Sequence, residues 1–150
     1  MRLATFAWAL AICASPLHAE IKVDAVYLRV ETEAPPVLSN LNPEPEDIGL
    51  AGAELAREDN ASTGKFLGQE HLLTLVSVPV GGDVTAAAAD ALAQTDLLLV
   101  DAPADAILAI ADLPEAADAL IFNTAAEDAT LRNEECRPNV LHTGPSMAMR

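Results

Sequence analysis

DLLLVDAPADAILAIADLPEAADALIFNT, residues 96–124, decides the fold. Asp96–Asp101 is apolar between two terminal acids, and a short continuous apolar run of this kind reads as a strand buried on both faces of a sheet. A helix follows from Pro103 to about Ala111, with proline at the first helical position, where a missing N–H costs nothing. Ala119–Thr124 (ALIFNT) is a second β-forming run. Strand, helix and strand in this order make a parallel βαβ unit, because parallel strands need a crossover of about a dozen residues.

The flanking sequence repeats the alternation. Ile21–Val30 (IKVDAVYLRV) is rich in β-formers and predicts a first strand, and His71–Pro79 (HLLTLVSVP) predicts another. Asp47 is placed to cap a helix whose buried face is Ile48, Ala51, Gly52, Leu55 and Ala56 at helical spacing. Asn60–Gly68 (NASTGKFLG) reads as a turn-rich connection. Gly81-Gly82-Asp83 opens an alanine-rich helix to about Gln94, capped by Asp83. Downstream, Asp128–Asn133 is a short helical turn, Asn139–Thr143 (NVLHT) a last strand, and Pro145-Ser146 the start of another helix. The fold class is therefore α/β, a doubly wound parallel sheet of about five strands with helices on both faces.

Composition narrows the function. The chain of 150 residues carries 23 acidic and 8 basic side chains, a formal charge of −15, so long-range repulsion argues against nucleic acid or an anionic membrane surface as partner. Disorder is excluded by 51% hydrophobic residues. Only 3% are aromatic while 30 are alanine, so helices must pack on the sheet through small side chains.

Met1-Arg2, the uncharged run Leu3–Ala14 (LATFAWALAICA) and Ser15–Ala19 have the order of a secretory signal peptide. The run is too short to span a bilayer, which takes about 20 residues. Ile12 before Cys13 occupies the place where a lipid-attachment site needs a small residue. The expectation is a signal peptide over 1–19, cleaved after Ala19, and an exported periplasmic protein over 20–150 with no membrane insertion. Only Arg2 among the charged residues is lost, which makes the mature charge −16. Cys136 is then an odd cysteine, open to three readings: a free thiol, an intermolecular bridge, or a partner outside this sequence.

Ligands of doubly wound sheets bind beyond the carboxyl ends of the strands. Those ends are Glu31–Asp47, Asp101–Asp105, Asn123–Ala126 and Thr143–Ser146, and polar residues cluster in all four. Asp101 reads equally as a site residue and as a cap for the helix at Pro103. Asn123 and Thr124 read as site residues. His142, within an apolar strand, reads as a buried, hydrogen-bonded histidine, and His71 carries no stronger signal. Glu44, Glu46 and Asp47 lack the spaced oxygens and turn glycine of a calcium loop, and read as a solvated loop with helix capping. No metal site or cofactor is expected.

The order of elements resembles the amino-terminal lobe of type I periplasmic solute-binding proteins, the branched-chain amino acid receptor group of ABC transporters. More narrowly, Leu38–Gly68 (LSNLNPEPEDIGLAGAELAREDNASTGKFLG) and Cys136–Met149 (CRPNVLHTGPSMAM) are similar to substrate-binding proteins associated with PQQ-dependent alcohol dehydrogenase systems. The resemblance implies a two-lobed periplasmic receptor, of which this chain is one lobe, that closes on a small molecule and delivers it to an inner-membrane ABC permease. It also admits a sensor or accessory binder without transport. It implies binding rather than catalysis, with ligand contacts at Asp101, Asp105, Asn123, Thr124, Ala125 and Ser146. The family commonly places a serine after the third strand to hold an amino acid's carboxylate. Asp101–Asp105 has none, and its two acids disfavour an anion, so a neutral, polyol-like or cationic ligand is expected.

Two rival chemistries lack their parts. A phospho-accepting receiver needs a lysine after the last strand, which NVLHT does not supply. A hydrolase needs a nucleophile elbow, a zinc motif or a histidine beside a nucleophile, and the sequence contains no such pattern.

Overall fold

A computed structural model describes residues 21–33, 45 and 47–150. Strands β1 (Ile21–Val30), β2 (Gln69–Val78), β3 (Leu97–Asp101), β4 (Leu120–Asn123) and β5 (Val140–His142) alternate with helices α1 (Ile48–Leu67), α2 (Val84–Leu92) and α3 (Ala104–Ala111). All pairings are parallel, in the order β2-β1-β3-β4-β5. This is the expected doubly wound α/β sheet, with α1 on one face and α2 and α3 on the other. Residues 1–20, 34–44 and Glu46 lie outside the described residues, and so do the expected signal peptide and the expectations placed on Glu44 and Glu46.

The core lies on the α2–α3 face. Val26, Leu28, Leu98, Val100, Ile121 and Val140 project from the strands into a cluster with Ala88, Ala91, Leu92, Ile107, Ile110 and Ala111. Ala88 is fully buried, so the small side chains let α2 approach the sheet closely, as the composition requires. Asp83 caps α2 as expected: its Oδ1 accepts from Ala86 N at 2.9 Å and from Thr85 Oγ1 at 2.7 Å. Those hydrogen bonds hold the carboxyl below its ordinary range.

Three expectations are corrected. First, the turn-rich stretch from Asn60 is helical through Leu67. Ser62 turns its hydroxyl back onto the Asp59 carbonyl at 2.8 Å, and Gly68 then ends the helix in the left-handed conformation with φ 67°. A Cβ on Gly64 would lie 2.6 Å from the Gln69 carbonyl oxygen, so glycine there serves close packing and does not mark a turn. Second, the buried face of α1 was expected along Ile48, Ala51, Gly52, Leu55 and Ala56, all of which are exposed. Leu50, Ala53, Arg57, Ala61 and Gly64 instead face the sheet, again at helical spacing, and Asp47 makes no side-chain cap bond. The two candidate stripes are both rich in small residues, which is why spacing alone chose the wrong one. Third, β3 is not buried on both faces. Leu98 and Val100 are buried, while Leu97, Leu99 and Asp101 on the α1 face are only partly covered.

Candidate functional site

The strand order places β1 between β2 and β3. From β1 the chain leaves through α1 to β2 on one side, and from β3 it leaves through α3 to β4 on the other. The loops therefore diverge beyond the carboxyl ends of β1 and β3 and leave a crevice, the usual ligand position in such sheets. Its volume is about 590 Å³, and its walls are Val30 and Thr32 at the end of β1, Asp101–Asp105 from the end of β3, and Ala125–Asp128 after β4.

Of the six expected contact residues, Asp101, Asp105 and Ala125 line this crevice. Asp101 does not cap α3. Pro103 occupies the cap position without a side-chain bond, so α3 starts at Ala104, one residue later than expected. Asp101 Oδ2 instead accepts from the Tyr27 hydroxyl at 2.9 Å. Tyr27 is 1% exposed, and burial first, then the hydrogen bond and charge of Asp101, push its pKa up to about 12. The phenol stays protonated and fixes the carboxylate as an acceptor at the crevice floor. Gly49 lets the first turn of α1 reach this pair, because a methyl group there would collide with Tyr27 Oη.

Asn123 is 2% exposed, and its amide is fully committed within the protein. Its Oδ1 accepts from Ala125 N at 3.1 Å and Ala126 N at 2.8 Å, while Nδ2 donates to the Ala126 carbonyl at 2.8 Å. The second Nδ2 hydrogen reaches His142 Nδ1 at 3.0 Å. This Asx-turn shapes the loop after β4, so the asparagine builds the wall rather than touching what lies inside it. Thr124 likewise turns its hydroxyl onto the Val100 carbonyl at 2.9 Å. Asn123, Thr124 and Ala125 border a smaller cleft of about 200 Å³ with Gly144, Pro145 and Arg150, in which Arg150 is ion-paired to Glu127. Ser146 is buried and lines neither space.

His142 is hydrogen-bonded as expected, but it is only partly buried. Burial, and then the positive charge of Arg132, lower its pKa below 6.5. In the neutral form Nδ1 accepts from Asn123, and the loop is held by an uncharged ring.

Thr32, Glu127 and Asp128 are crevice residues the sequence reading missed. Glu127-Asp128 directly follows the β4 loop, and that acidic pair was the available signal. With them the crevice presents Asp101, Asp105, Glu127 and Asp128, and no basic side chain among the described residues lining it. An anionic ligand meets the carboxylates of Asp101, Asp105 and Asp128, with Glu127 already paired to Arg150, whereas a hydroxyl or an ammonium finds acceptors. Among the described residues no group of three or more His, Cys, Asp or Glu is placed to hold a metal ion. Cys136 is exposed and unbridged. Among the described residues no helix is long and apolar enough to cross a membrane.

Comparison with protein-family models, with curated proteins and with solved structures found no match for this chain.

Proposed function

We propose that the chain is the amino-terminal lobe of an exported type I solute-binding protein that takes a small, non-anionic solute into the crevice beyond β1 and β3. In this reading a second lobe closes over the crevice, and the loaded receptor serves an ABC permease in the setting of PQQ-linked alcohol oxidation. One observation carries it: a crevice of about 590 Å³ lies where the strand order reverses, and the charged side chains among the described residues lining it are all acidic. That lining favours a polyol, whose hydroxyls donate to carboxylates, or an organic cation over the carboxylate of an amino acid. The volume is within the range of small-molecule sites, about 300 to 1,000 Å³.

A thermal-shift screen with amino acids, alcohols, aldehydes, polyols, amines and metal ions tests the proposal. A ligand at a hundred times its Kd adds about 2.7 kcal/mol of stability, enough for a clear rise in Tm. The expected hits are polyols or amines. No stabilisation by any of them, together with turnover of an ester or phosphate substrate, contradicts the proposal.

A further inference from the structure

We infer that β2 is the seam of a symmetric homodimer, in which two copies join antiparallel along this edge to form one continuous sheet. Among the described residues β2 ends the sheet and pairs only with β1. Its ten residues make it a long edge, against three in β5 at the opposite end. Long edges are normally blunted by charge, proline or a bulge. Here the run Leu72–Gly82 has no charged side chain at all, in a chain of net charge −15. Like charge keeps two copies apart over most of their surface, and this neutral edge is where that repulsion is weakest.

The backbone fixes which residues can bond outward. Ile21 N donates to the Gly68 carbonyl and Glu31 N to the Val78 carbonyl, so the even-numbered positions of β2 face β1. By the two-residue alternation of a strand, His71, Leu73, Leu75 and Ser77 turn their N–H and C=O groups outward. Pro79, which has no N–H, closes that outward series.

A two-fold axis through Thr74, perpendicular to the sheet, uses these four of the five outward residues and leaves Gln69 opposite Pro79. It sets Leu73 opposite Leu75 of the second copy and His71 opposite Ser77, each as a hydrogen-bonded pair. On the other face Leu72 meets Val76, and Thr74 meets its own copy as a pair without backbone bonds. Leu72 and Leu75, 44% and 47% exposed, are thereby both covered. The polar groups also match. Ser77 Oγ donates to Glu31 Oε1 at 2.8 Å, which places a carboxylate beside His71 of the second copy, twice by symmetry. Because the same edge meets itself, the assembly closes as a dimer and does not extend into a filament.

Sedimentation equilibrium of the purified protein at micromolar concentration and about 0.15 M salt, where surface repulsion is screened beyond about 8 Å, should give a dimer. Thr74→Cys in a Cys136→Ser background should form an inter-chain disulfide under mild oxidation, since directly opposed residues without backbone bonds lie about 4.5 Å apart at Cα. Ser62→Cys, exposed on α1, is the control that should stay uncrosslinked. Leu75→Lys should weaken the dimer about tenfold or more, because it sets a charge into an apolar seam. Circular dichroism of each variant confirms that the fold persists. A monomer under these conditions overturns the inference, and so does a dimer that Thr74→Cys fails to cross-link or that Leu75→Lys leaves intact.

Discussion

On the α2–α3 face of the sheet Leu28, Leu98, Val100 and Ile121 are fully buried, whereas on the α1 face Leu120 and Leu141 are each 43% exposed. Strand β4 supplies a residue to each set, and leucine occurs in both. What differs is the cover. The buried face receives two helices whose alanines and isoleucines interdigitate with the strands. The other receives one helix, set over β1 and β2, that offers mostly small residues and leaves β3, β4 and β5 half-covered. An apolar residue stabilises a fold in proportion to the surface it withdraws from water, so one residue type on opposite faces of one sheet carries very different weight.

The sharpest way to break that comparison is a matched pair of truncations. Leu98→Ala should cost about 3 to 5 kcal/mol in urea-induced unfolding, since a cavity is added to the lost transfer energy. Leu141→Ala should cost less than about 1 kcal/mol, because a surface site collapses onto water. Equal losses at the two sites would show that the α1 face is covered as deeply as the other.

Asn123→Ala probes where the buried face meets the site. It strips partners from two loop N–H groups, the Ala126 carbonyl and His142, and should cost about 3 kcal/mol. Loss of the loop shape should also abolish any ligand-induced rise in Tm. Tyr27→Phe is smaller, about 1 kcal/mol, because the Asp101 carboxylate left behind is only partly buried and can rehydrate. A Tyr27→Phe variant as unstable as Asn123→Ala would mean that the α1 face owes its stability to this one bond.

The smallest effect is on pH. His142 binds a proton less readily when folded, so the unfolded chain carries more protons between the folded pKa and the ordinary value of 6.5. Stability is fully present above pH 6.5 and is lost as the pH falls from there toward the folded pKa. His142→Gln should flatten that slope. Asp83 and Asp112 are held below 3.8, by bonds from Ala86 and from Arg137, and their contributions disappear only in the lower window below that value.

Much of the fold is legible in the sequence because β-forming runs and their helical crossovers differ in period and length. All five strands fall within two residues of their expected bounds. The strand order was not legible, since it depends on pairing between segments far apart in the chain. Nor was the orientation of α1, where Ala and Gly occupy several faces and hydrophobic spacing discriminates poorly. In the site, position was readable and role was not. Asp101 sits at the strand end as expected, but its bond to Tyr27 joins residues 74 apart. Asn123 has the chemistry of a ligand contact, yet its whole amide is used by the loop that follows it.

The account rests on the charge of the crevice, and the most direct test is a pair of small ligands of similar size and opposite charge. Propylammonium and propionate, titrated into the isotopically labelled protein and followed by amide chemical shifts, supply it. The account predicts saturable shifts for the amine, centred on Asp101–Asp105 and Ala125–Asp128 and lost in Asp101→Asn with Asp105→Asn, and none for propionate. Binding of propionate at those amides, or amine shifts spread evenly over the acidic surface, would contradict it.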